Sequence, residues 1–155
     1  MHTNAHTIER FYSAFQRRDA EGMAACYGPE VRFSDPVFPD LVGDRAKGMW
    51  KMLCERGADL RIEFRDVQAN DTEGSAHWDA YYTFAATGRK VVNRIDAKFK
   101  FKDGLISEHT DTFDFYAWAR QALGASGLLL GWTPMVKAKV RRTAAHSLDK
   151  FMQRA

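Results

Sequence analysis

The 155-residue sequence predicts an α+β fold: N-terminal helices packed on one face of a curved antiparallel meander, with a C-terminal helical extension. Three observations predict it. Apolar residues recur at helical spacing over the first third of the chain. The period becomes two between Leu60 and Phe115, and helical spacing returns after Phe115. Residues 1–133 read as the pocket-bearing part, and residues 134–155 as a basic amphipathic helix of the same domain.

Ile8, Phe11, Tyr12 and Phe15 place a first helix over Thr7 to Arg18, with Thr7 in capping position. Asp19 caps a short second helix that carries Met23, Cys26 and Tyr27 inward and stops at Gly28-Pro29. Val31 to Asp35 alternates as a strand ended by Pro36 and Pro39, and a third helix spans Asp44 to Glu55 before Gly57. Four strands follow, over Leu60–Ala69, Ser75–Ala86, Val91–Lys102 and Leu105–Phe115. Their joints are turn signals: Asn70-Asp71 with Gly74, Thr87-Gly88-Arg89, and Asp103-Gly104. A Gly-rich link leads from Trp118 and Leu123 to Pro134, which opens a last helix with Val136, Val140, Ala144, Leu148 and Phe151 on one stripe.

The net charge of +3 is unevenly placed: residues 134–155 carry +5 and the rest −2. A solvated helix face accounts for such a tail, so neither nucleic acid nor membrane is expected as a partner. The longest purely aliphatic run, Leu128-Leu129-Leu130, is far shorter than a membrane span, and the polar N-terminus has no apolar signal segment, so the chain reads as cytoplasmic. Cys26 and Cys54 read as buried small hydrophobes. No Gly-rich phosphate loop or nucleophile motif is present.

Strand parity decides which polar groups face inward. Trp78, Ala80 and Tyr82 share a face on the second long strand, as do Asn93, Ile95, Ala97 and Phe99 on the third. On the fourth, His109, Asp111 and Phe113 go together, while Asp79, Arg94 and Asp96 point outward. His77 and His109 then lie on opposite faces, so no metal site is expected. A His, an Asp and an Asn on an otherwise apolar face suit acid–base work on a small hydrophobic ligand. Asp111, His109 and Asp35 are the candidate catalytic groups; Asn93, Trp78, Tyr82, Trp50 and Phe113 are candidate ligand contacts. Alternation places His109 and Asp111 about 7 Å apart, too far for a fixed direct bond. A non-catalytic module that only holds a lipid-like or aromatic ligand is the alternative reading.

Phe11-Tyr12-Ser13-Ala14-Phe15, Val31 to Pro36, and Val91 to Phe115, with the order of elements, resemble the nuclear transport factor 2-like superfamily. Within it the chain is most similar to SnoaL-like and ketosteroid-isomerase-like proteins, over roughly residues 7–123. The resemblance implies a cone-shaped barrel of curved, mostly antiparallel sheet with the N-terminal helices packed on its concave face, a deep pocket, a homodimer and no cofactor. The isomerase's general base matches Asp35, which precedes Pro36; its helix tyrosine falls on Phe11, beside Tyr12, and its second oxyanion donor falls on Ala97. Of the epoxide hydrolase triad only the last position is kept, as Asp111, where Trp78 and Ala80 replace the others. The buried acid/base aspartate of SnoaL-like cyclases is likewise similar to Asp111.

Overall fold

The computed structural model describes residues 2–154. Period-two alternation from Arg61 onward becomes a meander of long strands: β3 (Arg61–Ala69), β4 (Glu73–Phe84), β5 (Arg89–Lys102) and β6 (Leu105–Thr112). Ahead of them lie α1 (Thr3–Gln16), α2 (Ala20–Ala24), β1 (Tyr27–Ser34), β2 (Leu41–Val42) and α3 (Asp44–Arg56). After them come α4 (Phe115–Leu123), α5 (Ala125–Leu130) and α6 (Pro134–Gln153).

The six strands form one mixed sheet in the order β2-β1-β6-β5-β4-β3, which curves without closing on itself. All pairings are antiparallel except β1 with β6, whose parallel register sets Phe33 beside His109 and Ser34 beside Thr110. Asp35 follows β1 directly, and its carboxyl group lies close enough to Asp111 for the two charges to repel. Adjacent strands lie ~4.8 Å apart, so two carboxylates on neighbouring strands share one neighbourhood.

The concave face packs on α1 and α3. Phe11, Tyr12, Phe15, Phe33, Met49, Trp50, Trp78 and Phe99 form one continuous buried cluster. Each large side chain so buried stabilises the fold by ~1.5–3 kcal/mol relative to exposure. A smaller cluster of Val91, Phe115, Trp118, Ala119 and Ala122 sits under α4, and Val37, Tyr82 and Phe113 touch both. Helix α6 returns across α3: Leu148 is fully buried, Arg45 pairs with Asp149 at 2.6 Å, and Arg141 donates to the carbonyl of Pro36 at 2.8 Å. The Met152 sulfur packs directly over Gly48 of α3, so a Cβ there would make that side chain move.

Three boundaries depart from expectation. Helix α1 starts before Thr7, because the His2 ring caps Asn4 N and the Asn4 side chain binds the carbonyls of Asn70 and Asp71. Strand β1 runs back through Gly28-Pro29 to Tyr27, which places Tyr27 on a strand. Strand β6 stops at Thr112, because Asp114 accepts from Ala117 N and starts α4, so Phe115 belongs to a helix. Asp19 caps α2 as expected, accepting from Gly22 N at 2.9 Å. The Gly-rich link contains a further helix, α5.

Candidate active site

The inner face of β6 carries the two central candidate residues, His109 and Asp111. His109 is 0% exposed and Asp111 3%, and His109 Nε2 lies 2.8 Å from Asp111 Oδ1. The two residues bond directly, which corrects the expectation from backbone spacing: the Cβ positions are far apart, but the side chains lean together along the strand. Sequence reasoning missed the next member. Tyr27 Oη lies 2.7 Å from His109 Nδ1 and accepts from Trp50 Nε1 at 2.8 Å.

Donor chemistry gives this chain a direction. An indole N–H can only donate, so Tyr27 Oη accepts from Trp50 and sends its own proton to His109 Nδ1. The imidazole proton then sits on Nε2 and is donated to Asp111 Oδ1. Burial, then the nearby Asp111 charge, raises the Tyr27 pKa well above its ordinary value, so its hydroxyl keeps the proton. Trp78 Nε1 adds a long 3.5 Å contact to the same Oδ1. Among the described residues, none donates a hydrogen bond to Asp111 Oδ2.

Asp35 stands beside this carboxylate. Its Oδ1 accepts from the backbone N–H of Val37 and Phe38 at 2.7 and 2.6 Å, which shapes the turn at Pro36. Part of the residue reaches solvent, yet its carboxyl group is enclosed, and burial pushes its pKa up to about 7. Repulsion from Asp111 adds to the rise, while the two backbone N–H groups and Arg141 oppose it. Asn93 faces inward nearby, as does half-buried Phe113. Tyr82 Oη accepts from Trp118 Nε1 at 2.7 Å, and burial, opposed by that bond, holds its pKa high.

Trp50 and Trp78 are almost wholly buried. Trp50 stacks on the His109 ring with centroids 5.8 Å apart and planes at 14°. Phe99, Phe33 and Phe11 pack the same ring at 4.4, 5.0 and 5.5 Å. The space around His109 is thus filled with aromatic rings, where an open cavity was expected. Two grooves of about 500 and 430 Å³ lie elsewhere, one on the outer sheet face at Ser75 and Lys98, one between α1 and α2. Tyr12 Oη is the one fully buried side-chain polar atom among the described residues without a hydrogen-bond partner. Burial and the Asp111 charge raise its pKa.

On β5, Ala97 holds the position of the isomerase's second oxyanion donor, and Asp96 precedes it on the opposite face. Ala97 pairs across the ladder with Asp111 and offers no donor. Asp96 points outward and bonds His77 Nδ1 at 2.8 Å, as parity predicted.

The sequence profile of the SnoaL-like domain matches residues 8–109, and the chain belongs to this family, within the nuclear transport factor 2-like superfamily. No curated protein matches the chain by sequence. Among solved structures, it is similar to a candidate polyketide cyclase from Xanthomonas campestris pv. campestris: TM-score 0.65, 23% identity, covering 77% of this chain and 96% of that one. It is also similar to TerC co-crystallised with polyporic acid, at TM-score 0.66 and 18% identity over 77% and 98% of the two chains. An epoxide hydrolase from M. tuberculosis, of the LEH-like kind, aligns at TM-score 0.62 and 18% identity over 82% and 92%. At these identities the likeness establishes the cone-like fold.

Proposed function

We propose that the protein is an acid–base enzyme acting on a small, hydrophobic, oxygenated molecule by isomerisation, cyclisation or dehydration. The observation that carries this reading is the hydrogen-bonded chain from Trp50 through Tyr27 and His109, which holds Asp111 by one oxygen and leaves the other unclaimed beside Asp35. Asp111 Oδ2 takes a proton from a carbon next to a carbonyl, while His109 fixes the carboxylate's direction. Asp35, with a pKa of about 7, carries the proton that the developing enolate oxygen needs and recovers one afterwards. Asn93 and Tyr82 orient the ligand, and Phe113 gives it an apolar wall. Aromatic, oxygen-rich ligands such as the one bound by TerC fit the chemistry of these groups.

Deuterium exchange at the activated carbon of aromatic 1,3-diketones, followed by NMR, tests the assignment. Wild-type protein accelerates exchange, and Asp111→Asn slows it by about a hundred-fold or more. Exchange that is unchanged in Asp111→Asn overturns the reading.

A second reading, a binding module without turnover, is favoured by Phe11 and Ala97. They stand where the isomerase-like relatives place hydrogen-bond donors, and such donors contribute several kcal/mol to catalysis. In that case the same diketones bind and are recovered without exchange.

A further inference from the structure

The end of the molecule formed by α4, α5 and the start of α6 exposes a concentrated apolar tip. Leu128, Leu129, Leu130, Trp132 and Met135 are all exposed, Trp132 by 70% and Met135 by 74%. Scattered exposed leucines are ordinary, but a contiguous group of this kind marks a contact site.

Packing explains why these side chains face out. Helix α5 docks on α4 through its glycines: a Cβ at Gly127 would collide with the backbone of Ala119, and one at Gly131 with the Ala119 side chain. Tyr116 Oη fastens the Leu128 carbonyl at 2.8 Å, and the Trp132 indole N–H donates to the Leu129 carbonyl at 3.1 Å. With small residues occupying the inner side, the leucines have only solvent to meet. A helix serving the core would turn the other way.

The charge around the tip has one sign. From Phe115 to Leu148 the chain holds five Lys and Arg and no Asp or Glu. Met135, Ala138, Lys139, Arg142 and His146, at helical spacing, are all exposed, so the apolar tip continues into a cationic stripe along α6. Arg120 is exposed on α4 beside it.

We infer that this end of the protein docks on an anionic lipid surface, with Leu129, Trp132 and Met135 entering the headgroup boundary and Lys139 and Arg142 meeting lipid phosphates. Apolar tip and cationic flank together are the composition that interfacial segments use. A second copy of the chain fits less well, because a two-fold contact through this patch brings two stripes of the same positive charge together. Nucleic acid would leave the leucines unused. None of these apolar residues lines either of the two grooves described above, which leaves no cleft at the patch to seat a partner helix among them. The inference is independent of the reaction assigned to Asp111, and it replaces the expectation of a merely solvated basic helix.

Trp132 supplies its own reporter, since Trp50, Trp78 and Trp118 are buried. The whole protein is mixed with phosphatidylcholine vesicles, with and without phosphatidylglycerol, and followed by co-sedimentation and by acrylamide quenching of tryptophan emission. Binding to the anionic vesicles, shielding of Trp132 and weakening by added salt are expected. Leu129→Asp lowers affinity by about ten-fold or more. The Lys139→Glu/Arg142→Glu pair does so by a similar factor. Both variants alter exposed side chains and leave circular dichroism unchanged. No association with anionic vesicles, or association unaffected by both variants, overturns the inference. So does a concentration-dependent increase in mass that Leu129→Asp abolishes, which would assign the patch to a second copy.

Discussion

The chain contains the same pattern twice, His77-Trp78-Asp79 on β4 and His109-Thr110-Asp111 on β6, and the two pairs face opposite sides of the sheet. Their bonds are alike: His77 Nε2 to Asp79 Oδ1 is 3.0 Å, and His109 Nε2 to Asp111 Oδ1 is 2.8 Å. Both aspartates are 3% exposed. Their surroundings are not alike. Asp79 lies shallow, covered by its own partners, with Arg65 at 2.9 Å and Arg94 at 3.5 Å on its second oxygen. Burial alone would raise its pKa, but Arg65 and His77 together outweigh that and hold it below the usual range. Asp111 has no arginine beside it; the His109 and Trp78 rings support it through one oxygen only. The outer carboxylate is saturated on both oxygens and serves as a structural ion network. The inner one is held through one oxygen only, and the proposed function rests on that difference.

Removing each histidine separates the two most widely. His109→Ala opens a hole among Phe99, Phe33 and Trp50 and strands Tyr27 and Asp111, so chemical denaturation should show a loss of about 3–5 kcal/mol. His77→Ala, with Arg65 still pairing Asp79, should lose less than about 1 kcal/mol. Equal losses would end the distinction.

The tyrosines sharpen it next. Tyr27→Phe deprives His109 Nδ1 and Trp50 Nε1 of their partner and should cost about 1–3 kcal/mol. Tyr12→Phe removes a hydroxyl without a partner and should leave thermal stability unchanged or raise it by up to about 1 kcal/mol. A large loss in Tyr12→Phe would reveal a hidden partner.

Two pH series follow, of opposite sign. The Asp35 pKa is raised from 3.8 to about 7, so the folded state holds a proton that the unfolded chain has released. Stability from this group is complete below 3.8 and is lost as pH rises to about 7. Asp35→Asn keeps an oxygen for Val37 and Phe38, so it should match wild type in acid and exceed it above neutrality. The gain should be about 1–2 kcal/mol, since part of the residue meets solvent. Asp79 behaves in reverse, its lowered pKa stabilising at neutral pH and failing as pH falls through it. Asp79→Asn should therefore cost about 1 kcal/mol at neutral pH and converge with wild type in strong acid.

By itself the sequence determined the α+β class, the order of the long elements and the face on which Asp96, His109 and Asp111 lie; the short β2 and α5 were not in the pattern. Those follow from local periodicity, and parity alone sent Asp96 outward and His109 and Asp111 inward. The helix starts at Asp19, as a cap, and at Pro134, as a first helical residue, were likewise local chemistry. The tertiary structure decided the partners. Nothing near Tyr27 in the chain announces His109, 82 residues away; the parallel pairing of β1 with β6 brings them together. The same pairing sets Asp35 beside Asp111, and only burial in that place moves its pKa. The filled interior was also beyond the pattern, because alternation says which rings point inward but not how tightly they meet. The outward Leu128, Leu129 and Leu130 are its counterpart: composition offers them to the core, and the glycines beneath α5 turn them to solvent.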